Sequence, residues 1–174
     1  MNVNTNISME YEARVMINEE QYLNIKKIYL AKNRPIRFIT NKNIYLDTPD
    51  IYLINHHMVL RVREINKKDR ELTLKVKGEK GDIEITEKII NDKQYQLILS
   101  GTIFSKDILN ELLTRNIDVV NIKVITTLLT ERIEIPYKKY LLVIDKNYYN
   151  DKIDYNIEVE ANRSEEHTSE LQSH

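Results

Sequence analysis

The chain has no cysteine among its 174 residues, which excludes disulfides and thiolate metal sites. Three glycines and three prolines are few for this length, so long, continuous helices and strands are favoured over tight turns. No apolar run approaches the ~18 residues of a membrane span, and residues 1–8 lack the basic and apolar regions of a signal peptide. Together these absences indicate a cytoplasmic protein without a membrane partner.

A glycine-rich phosphate loop is absent as well, since neither a Walker sequence nor GxGxxG occurs. The formal net charge of −1 shows no bias toward nucleic acid. At 174 residues the chain is long enough for one domain with a substantial hydrophobic core. Any recognition of phosphate therefore has to come from side chains.

The two ends of the chain differ from the part between them. Residues 163–174 show neither helical nor strand periodicity, and they resemble the translation of a common sequencing adapter. We therefore predict a disordered extension over residues 1–8, a single domain over 9–162 that is incomplete at its C-terminus, and a non-native tail over 163–174.

Hydrophobic periodicity divides the domain into strands and helices. Asn18 and Gln21 have the spacing of a capping box, which predicts a helix from there to about residue 32. Further helices are predicted over 92–99 and 106–115, and strands over 9–17, 36–47, 59–65, 71–77, 83–90, 121–135, 138–147 and 153–161. Eight strands with few helices predict an α+β protein whose antiparallel sheet can close into a barrel.

The first strand carries charge on one of its two faces. Glu10, Glu12 and Arg14 alternate with apolar residues, so all three point to the same side. Carboxylates two residues apart on a strand are separated by about 6.6 Å, and they repel one another unless a cation lies between them. Taken alone, this pattern is typical of a face exposed to solvent.

Other strands repeat the pattern, which opens a second interpretation. Charged side chains share a face at Arg61 with Arg63, Lys75 with Lys77, Arg132 with Glu134, and Glu158 with Glu160, while Asp145 interrupts an apolar strand. The charged faces either point to water or converge inside a barrel. In the second case, clustered carboxylates would select Mg²⁺ or Mn²⁺, and clustered Arg and Lys would select phosphate oxygens.

The charged strands resemble those of the CYTH domain, the family of triphosphate tunnel metalloenzymes, and in particular its bacterial single-domain members. The resemblance rests on several short motifs that occur in family order between about residues 9 and 161. They are Glu10-Tyr11-Glu12-Ala13-Arg14, Tyr45-Leu46-Asp47-Thr48, Leu60-Arg61-Val62-Arg63-Glu64, Leu72-Thr73-Leu74-Lys75, Arg132, Asp145 and Glu158-Val159-Glu160.

The resemblance implies an eight-stranded antiparallel β-barrel with flanking helices around a charged tunnel, and an enzyme that needs Mg²⁺ or Mn²⁺. It implies metal ligation by Glu10, Glu12, Asp145, Glu158 and Glu160. It implies substrate binding by Arg14, Arg61, Arg63, Lys75, Lys77 and Arg132. It implies catalytic roles for Glu10, Glu12, Arg14 and Arg132.

We expect a metal-dependent triphosphatase that acts on inorganic triphosphate, or else on thiamine triphosphate or a nucleoside triphosphate. An adenylyl cyclase of the same fold and a non-catalytic polyphosphate- or nucleotide-binding module are the alternatives. The protein would be a monomer or a homodimer. Arg14 stands where the family usually has Lys, so it retains a positive charge but cannot transfer a proton.

Four further residues have competing interpretations. His56 and His57 are adjacent, and adjacent side chains on an extended chain point in opposite directions, which favours a surface turn over a metal site. Glu84 and Glu134 lie on potentially inward faces, where a structural ion pair is favoured over an auxiliary metal ligand.

Overall fold

A computed structural model describes residues 5–32, 35–79 and 81–162 of the chain. Its eight strands are β1 (Thr5–Ile17), β2 (Arg37–Asp47), β3 (Met58–Ile65), β4 (Asp69–Val76), β5 (Asp82–Ile89), β6 (Lys123–Tyr137), β7 (Tyr140–Tyr149) and β8 (Lys152–Asn162). Its helices are α1 (Glu19–Leu30), α2 (Tyr52–Asn55), α3 (Asp92–Leu99) and α4 (Lys106–Thr114), with a 3₁₀ turn at Val119–Asn121. The predicted α+β class is confirmed.

The strands form one closed antiparallel barrel in the order β1-β5-β4-β3-β2-β6-β7-β8. Closure depends on β1, which pairs with β5 from Thr5 to Glu10 and with β8 from Glu10 to Ile17. Closure gives each of these strands a neighbour on both sides, although in β1 the two neighbours pair with successive halves of the strand. The predicted eight-stranded barrel is confirmed.

The two ends of the chain were predicted to lie outside the domain. Residues 5–8 instead belong to β1, where Thr5 pairs with Glu87 and Ser8 with Glu84. The expected disordered extension therefore does not hold for these four residues, because β5 is long enough to give them a partner. Residues 1–4 and the predicted tail at 163–174 lie outside the described residues.

The barrel carries its apolar residues on the outside, under the helices. One buried cluster joins the sheet to α3 and α4. Its members include Leu60, Leu72 and Leu74 of the sheet, Ile98 of α3 and Leu112 of α4, each at most 1% exposed. A second cluster forms beneath α1; its buried members are Tyr22, Ile133, Ile135, Ile144 and Tyr155. With the apolar faces turned outward, period-two alternation leaves the charged faces inward.

Helix α1 begins as the sequence predicts. Asn18 accepts a hydrogen bond from the Gln21 backbone N–H at 2.8 Å, and the Gln21 side chain accepts one from the Asn18 N–H at 2.9 Å. This capping box satisfies two N–H groups that the first turn cannot pair. No helix in the described ranges has the length and apolar character needed to cross a bilayer.

Helix α2 lies between the predicted strands at 36–47 and 59–65, and four residues are too few to show a helical period in the sequence. It is held by Asp47 at the end of β2. The fully buried Asp47 carboxylate accepts backbone hydrogen bonds from Thr48 at 2.7 Å, Leu53 at 2.8 Å and Ile54 at 3.1 Å. One carboxylate thus fixes the helix against the barrel.

Replacing Asp47 with Ala is expected to lower the free energy of unfolding by about 3 kcal/mol, because it leaves buried N–H donors unsatisfied. Urea denaturation of the variant and wild type measures the loss. Asp50→Ala is the matched control, since the exposed Asp50 carboxylate accepts one side-chain hydrogen bond, from Thr48, at 2.6 Å. Equal losses in the two variants would contradict the role given to Asp47.

Candidate active site

A cavity of about 400 Å³ lies inside the barrel. Among the described residues, seven carboxylates and six basic side chains line it. They are Glu10, Glu12, Asp82, Glu84, Glu134, Glu158 and Glu160, with Arg14, Arg61, Arg63, Lys75, Lys77 and Arg132. Of the predicted site residues, Asp145 alone is not in this lining. The charged faces therefore converge inside the barrel, as the second interpretation of the sequence expected.

Strand register brings the acidic residues of β1 and β8 together. Glu12 pairs with Glu160, and Arg14 pairs with Glu158 on the neighbouring rung. Arg14 forms an ion pair with Glu158, although the Arg14 side chain is about half exposed. In this structure Arg14 thus contacts a carboxylate at the place where the sequence predicts a contact to phosphate.

Arg132 binds three carboxylates at once. Its Nε and Nη2 donate to the two oxygens of Asp145 at 2.9 and 2.8 Å, Nη2 donates to Glu158 at 3.0 Å, and Nη1 donates to Glu160 at 3.4 Å. Burial disfavours the charge of Arg132, but the hydrogen bonds to Asp145 and the attraction of the acids outweigh burial and raise its pKa. Asp145 lies behind Arg132 and is 3% exposed.

Lys75 is the centre of a second group of acids. Its Nζ lies 3.1 Å from Glu12, 3.4 Å from Glu10 and 3.4 Å from Asp82. Burial opposes ionisation of Glu12, but the charge of Lys75 outweighs burial and lowers the pKa of Glu12. Burial and the nearby Glu84 raise the pKa of Glu10.

Asp82 is a cavity residue that the sequence analysis did not identify, although its spacing from Glu84 indicates it. It directly follows the turn at Gly81 and precedes Glu84 by two residues, so the two acids share the inward face of β5. Tyr45 was also overlooked as a lining residue; it lies within a family motif and pairs with Arg61 across β2 and β3.

The closest carboxylate contacts of two β3 arginines are longer than those of Arg14 and Arg132. Nε of Arg61 is buried without an acceptor among the described residues, and its nearest carboxylate, Glu84, lies 3.9 Å from its Nη2. Arg63 bonds Asn43 at 3.3 Å and Glu71 at 3.4 Å. Burial, then repulsion from the other arginines, lowers the pKa of Arg63 to about 10. In this part of the cavity, nearby carboxylates therefore compensate the positive charge only weakly.

Three carboxylates have the spacing of a metal site. Glu12, Glu158 and Glu160 each offer an oxygen, and these oxygens lie within 4.8 Å of one another. Oxygen donors of this kind suit hard cations such as Mg²⁺ and Mn²⁺. Burial, only partly offset by Arg132, raises the pKa of Glu160 to about 7, so Glu160 binds a cation best above neutral pH.

The remaining residues weighed from sequence have structural contacts. Glu134 forms an ion pair with Arg37, and Thr86 donates to Glu84 at 3.3 Å. The ring of His56 stacks on Tyr52, with centroids 3.7 Å apart. Both histidines are exposed, as a surface turn requires, but His57 also lines the cavity beside α2, together with Ile54, Met58 and Val59.

Comparison with known proteins agrees with this fold. The CYTH domain model matches residues 8–172. A protein of Bacillus subtilis (strain 168), named "Putative triphosphatase YjbK", is 32% identical over 155 residues, which are 88% of this chain and 77% of the relative.

Solved structures share the architecture. A Bacillus halodurans crystal structure, described as that of a "putative adenylate cyclase", is 27% identical, covers 89% of this chain and 81% of its own, and has a TM-score of 0.78. A Hippeastrum protein, described as having a dominant triphosphatase activity, is 17% identical over 88% of this chain and 80% of its own, with a TM-score of 0.70. The second likeness concerns the fold alone.

Replacing Glu160 with Gln is expected to stabilise the metal-free protein at pH 8. The carboxyl has a pKa near 4.5 when unfolded and about 7 when folded. Between these values the folded state binds more protons, so the free energy of unfolding of the wild type falls as pH rises through this window. The variant avoids that loss, so it should be more stable by about 1–2 kcal/mol at pH 8 and equal to wild type near pH 4.

Urea denaturation in EDTA at several pH values measures this difference. Glu131→Gln is the control. Glu131 is exposed and, one residue before Arg132, lies on the face of β6 that points away from the cavity. A Glu160→Gln variant whose stability relative to wild type does not change with pH would contradict the raised pKa.

Proposed function

Because the chain belongs to the CYTH domain family, we propose that it hydrolyses a triphosphate inside its barrel with the help of Mg²⁺ or Mn²⁺. The observation that carries the proposal is the division of charge within one cavity. Arg61 and Arg63 on one side have only long contacts to carboxylates, while Glu12, Glu158 and Glu160 lie close enough on the other to share a cation. A metal-bound polyphosphate would supply an anion for the arginines and a cation for the three carboxylates.

The charge balance of the cavity supports the need for a metal. Seven carboxylates already face six basic side chains, so the cavity is close to neutral before any ligand enters. A triphosphate alone would add several negative charges to a poorly solvated space, which is unfavourable. A divalent cation that enters with the anion restores the balance.

Each group of side chains has a distinct role in this proposal. Arg61, Arg63 and Arg132 bind phosphate oxygens through planar guanidinium groups, and Lys75 and Lys77 add point charges. The metal ligands are Glu10, Glu12, Asp145, Glu158 and Glu160, and a bound ion would neutralise phosphate oxygens and lower the pKa of an attacking water.

Positioning and charge neutralisation account for most of the catalysis of phosphoryl transfer, so the cavity needs no covalent nucleophile. Arg14 stays protonated and contributes charge alone. Its present contact with Glu158 places it beside the proposed metal ligands. Together with Arg14, the residues that we propose to be catalytic are Glu10, Glu12 and Arg132.

Inorganic triphosphate is the substrate we propose first, because charged side chains make up most of the cavity lining. The triphosphatase name of the Bacillus subtilis relative favours hydrolysis over cyclisation. We propose a cytoplasmic location, in keeping with the cysteine-free sequence, and a monomer or homodimer.

Incubation with a panel of triphosphates tests the reaction. With Mg²⁺ or Mn²⁺ we expect phosphate release from tripolyphosphate, faster than from ATP or thiamine triphosphate, and loss of the activity in EDTA. Formation of cyclic AMP from ATP would identify a cyclase instead. Tight calorimetric binding of tripolyphosphate without phosphate release would identify a binding module.

Glu12→Gln tests the metal ligands. It removes a carboxylate charge while keeping the side-chain shape, so metal-dependent turnover should fall by about 100-fold or more, with an unchanged circular dichroism spectrum. Glu131→Gln, on the outer face of β6, should leave turnover unchanged. Full activity in Glu12→Gln would overturn the metal assignment.

A further inference from the structure

Arg132 donates hydrogen bonds to three of the carboxylates that are expected to hold the metal. We propose that Arg132 is an internal counter-ion, which partly compensates the charge of Asp145, Glu158 and Glu160 in the metal-free protein and has to release them when a divalent cation binds. The inference rests on the proposed function only in taking these acids to be the metal ligands. It concerns how the protein behaves without a substrate.

Burial explains why the acids need a counter-ion of their own. The side chain of Glu158 is 1% exposed and that of Asp145 is 4% exposed, and both contact the Arg132 guanidinium. Ionised carboxylates that are this poorly solvated are unstable unless a positive charge lies in contact with them. Arg132, itself 12% exposed, provides that charge through a planar fork that reaches three acids.

The same contacts compete with a metal. Oε2 of Glu158 accepts from Arg132 at 3.0 Å, and its Oε1 accepts from Asn156 at 3.1 Å and also contacts Arg14. Both oxygens of Asp145 accept from Arg132. A cation that uses Glu158 and Glu160 together with Glu12 therefore has to displace hydrogen bonds from Arg132, whose positive charge also repels it.

The anion side of the cavity gives Arg132 another partner. Arg132 is close enough to Arg63 that its charge lowers the pKa of Arg63, so it borders the region where positive charge is only weakly compensated. A phosphate bound there can attract the guanidinium away from the acids. Binding of cation and anion should then favour each other, because each frees the side chains that the other needs.

Titration of Mn²⁺ into the protein without any phosphate tests the proposal. Arg132→Gln removes the competing charge, so we expect Mn²⁺ to bind about tenfold more tightly, or better, than to wild type. A residue that served only to grip the substrate would leave Mn²⁺ affinity unchanged, and one that supported the metal site would weaken it. Either of these results overturns the proposal.

Arg63→Gln is the matched control. It removes the same charge from the same cavity, but Arg63 contacts Asn43 and Glu71 and not the three acids. We expect its Mn²⁺ affinity to stay within about threefold of wild type, since a cavity charge without direct contact is screened. Equal tightening in both variants would mean that net charge, not the contacts of Arg132, controls affinity, and would overturn the proposal.

Thermal unfolding gives a second measurement if Arg132→Gln is unstable. The variant should have a lower Tm than wild type in EDTA, and Mn²⁺ should raise its Tm more than it raises that of wild type, because the ion replaces the missing counter-ion. Arg132→Lys, with one point charge in place of the fork, should give an intermediate shift. Equal Mn²⁺ shifts in all three proteins would overturn the proposal.

Hydrolysis of tripolyphosphate by wild type is scored separately. Hydrolysis with unchanged Mn²⁺ affinity in Arg132→Gln would reject the counter-ion and leave the triphosphatase intact. Tighter Mn²⁺ binding in the variant without hydrolysis by wild type would reject the triphosphatase and support the counter-ion.

Discussion

The interior of the barrel has to neutralise its own charges, and most of the structure follows from that constraint. Thirteen charged side chains among the described residues share one cavity of about 400 Å³. The most deeply buried of them, such as Glu158, persist as ions only in contact with the opposite sign, and Arg132 and Lys75 each contact three carboxylates. Apolar side chains are left to the outer surface, where the helices cover them.

The sequence predicts which side of each strand faces inward, because side-chain alternation is local. Glu10, Glu12, Arg61 and Arg63 line the cavity for this reason. Helix α1 was equally predictable, since its capping box lies within four consecutive residues. The resemblance to the family implied closure of the eight strands into a barrel, which alternation alone left open.

The sequence could not predict which charges contact one another. Arg132 was expected to bind phosphate and Asp145 to bind metal, yet cross-strand register pairs them directly. Register is a property of two strands that lie far apart in the chain, and a pattern within one strand carries no information on it. The fixing of α2 by Asp47 was hidden for a related reason, because a helix of four residues shows no period.

The double pairing of β1 has a consequence for how the chain folds. The first strand finds its second partner in the last, with Glu12 opposite Glu160, so closure joins residues from the two ends of the domain. Contacts of such long sequence separation form late and slowly. During synthesis β1 can pair with β5 before β8 has left the ribosome. We expect the acids in the second half of β1 to stay in water until β8 is available. We therefore expect the charged interior to be buried late in folding.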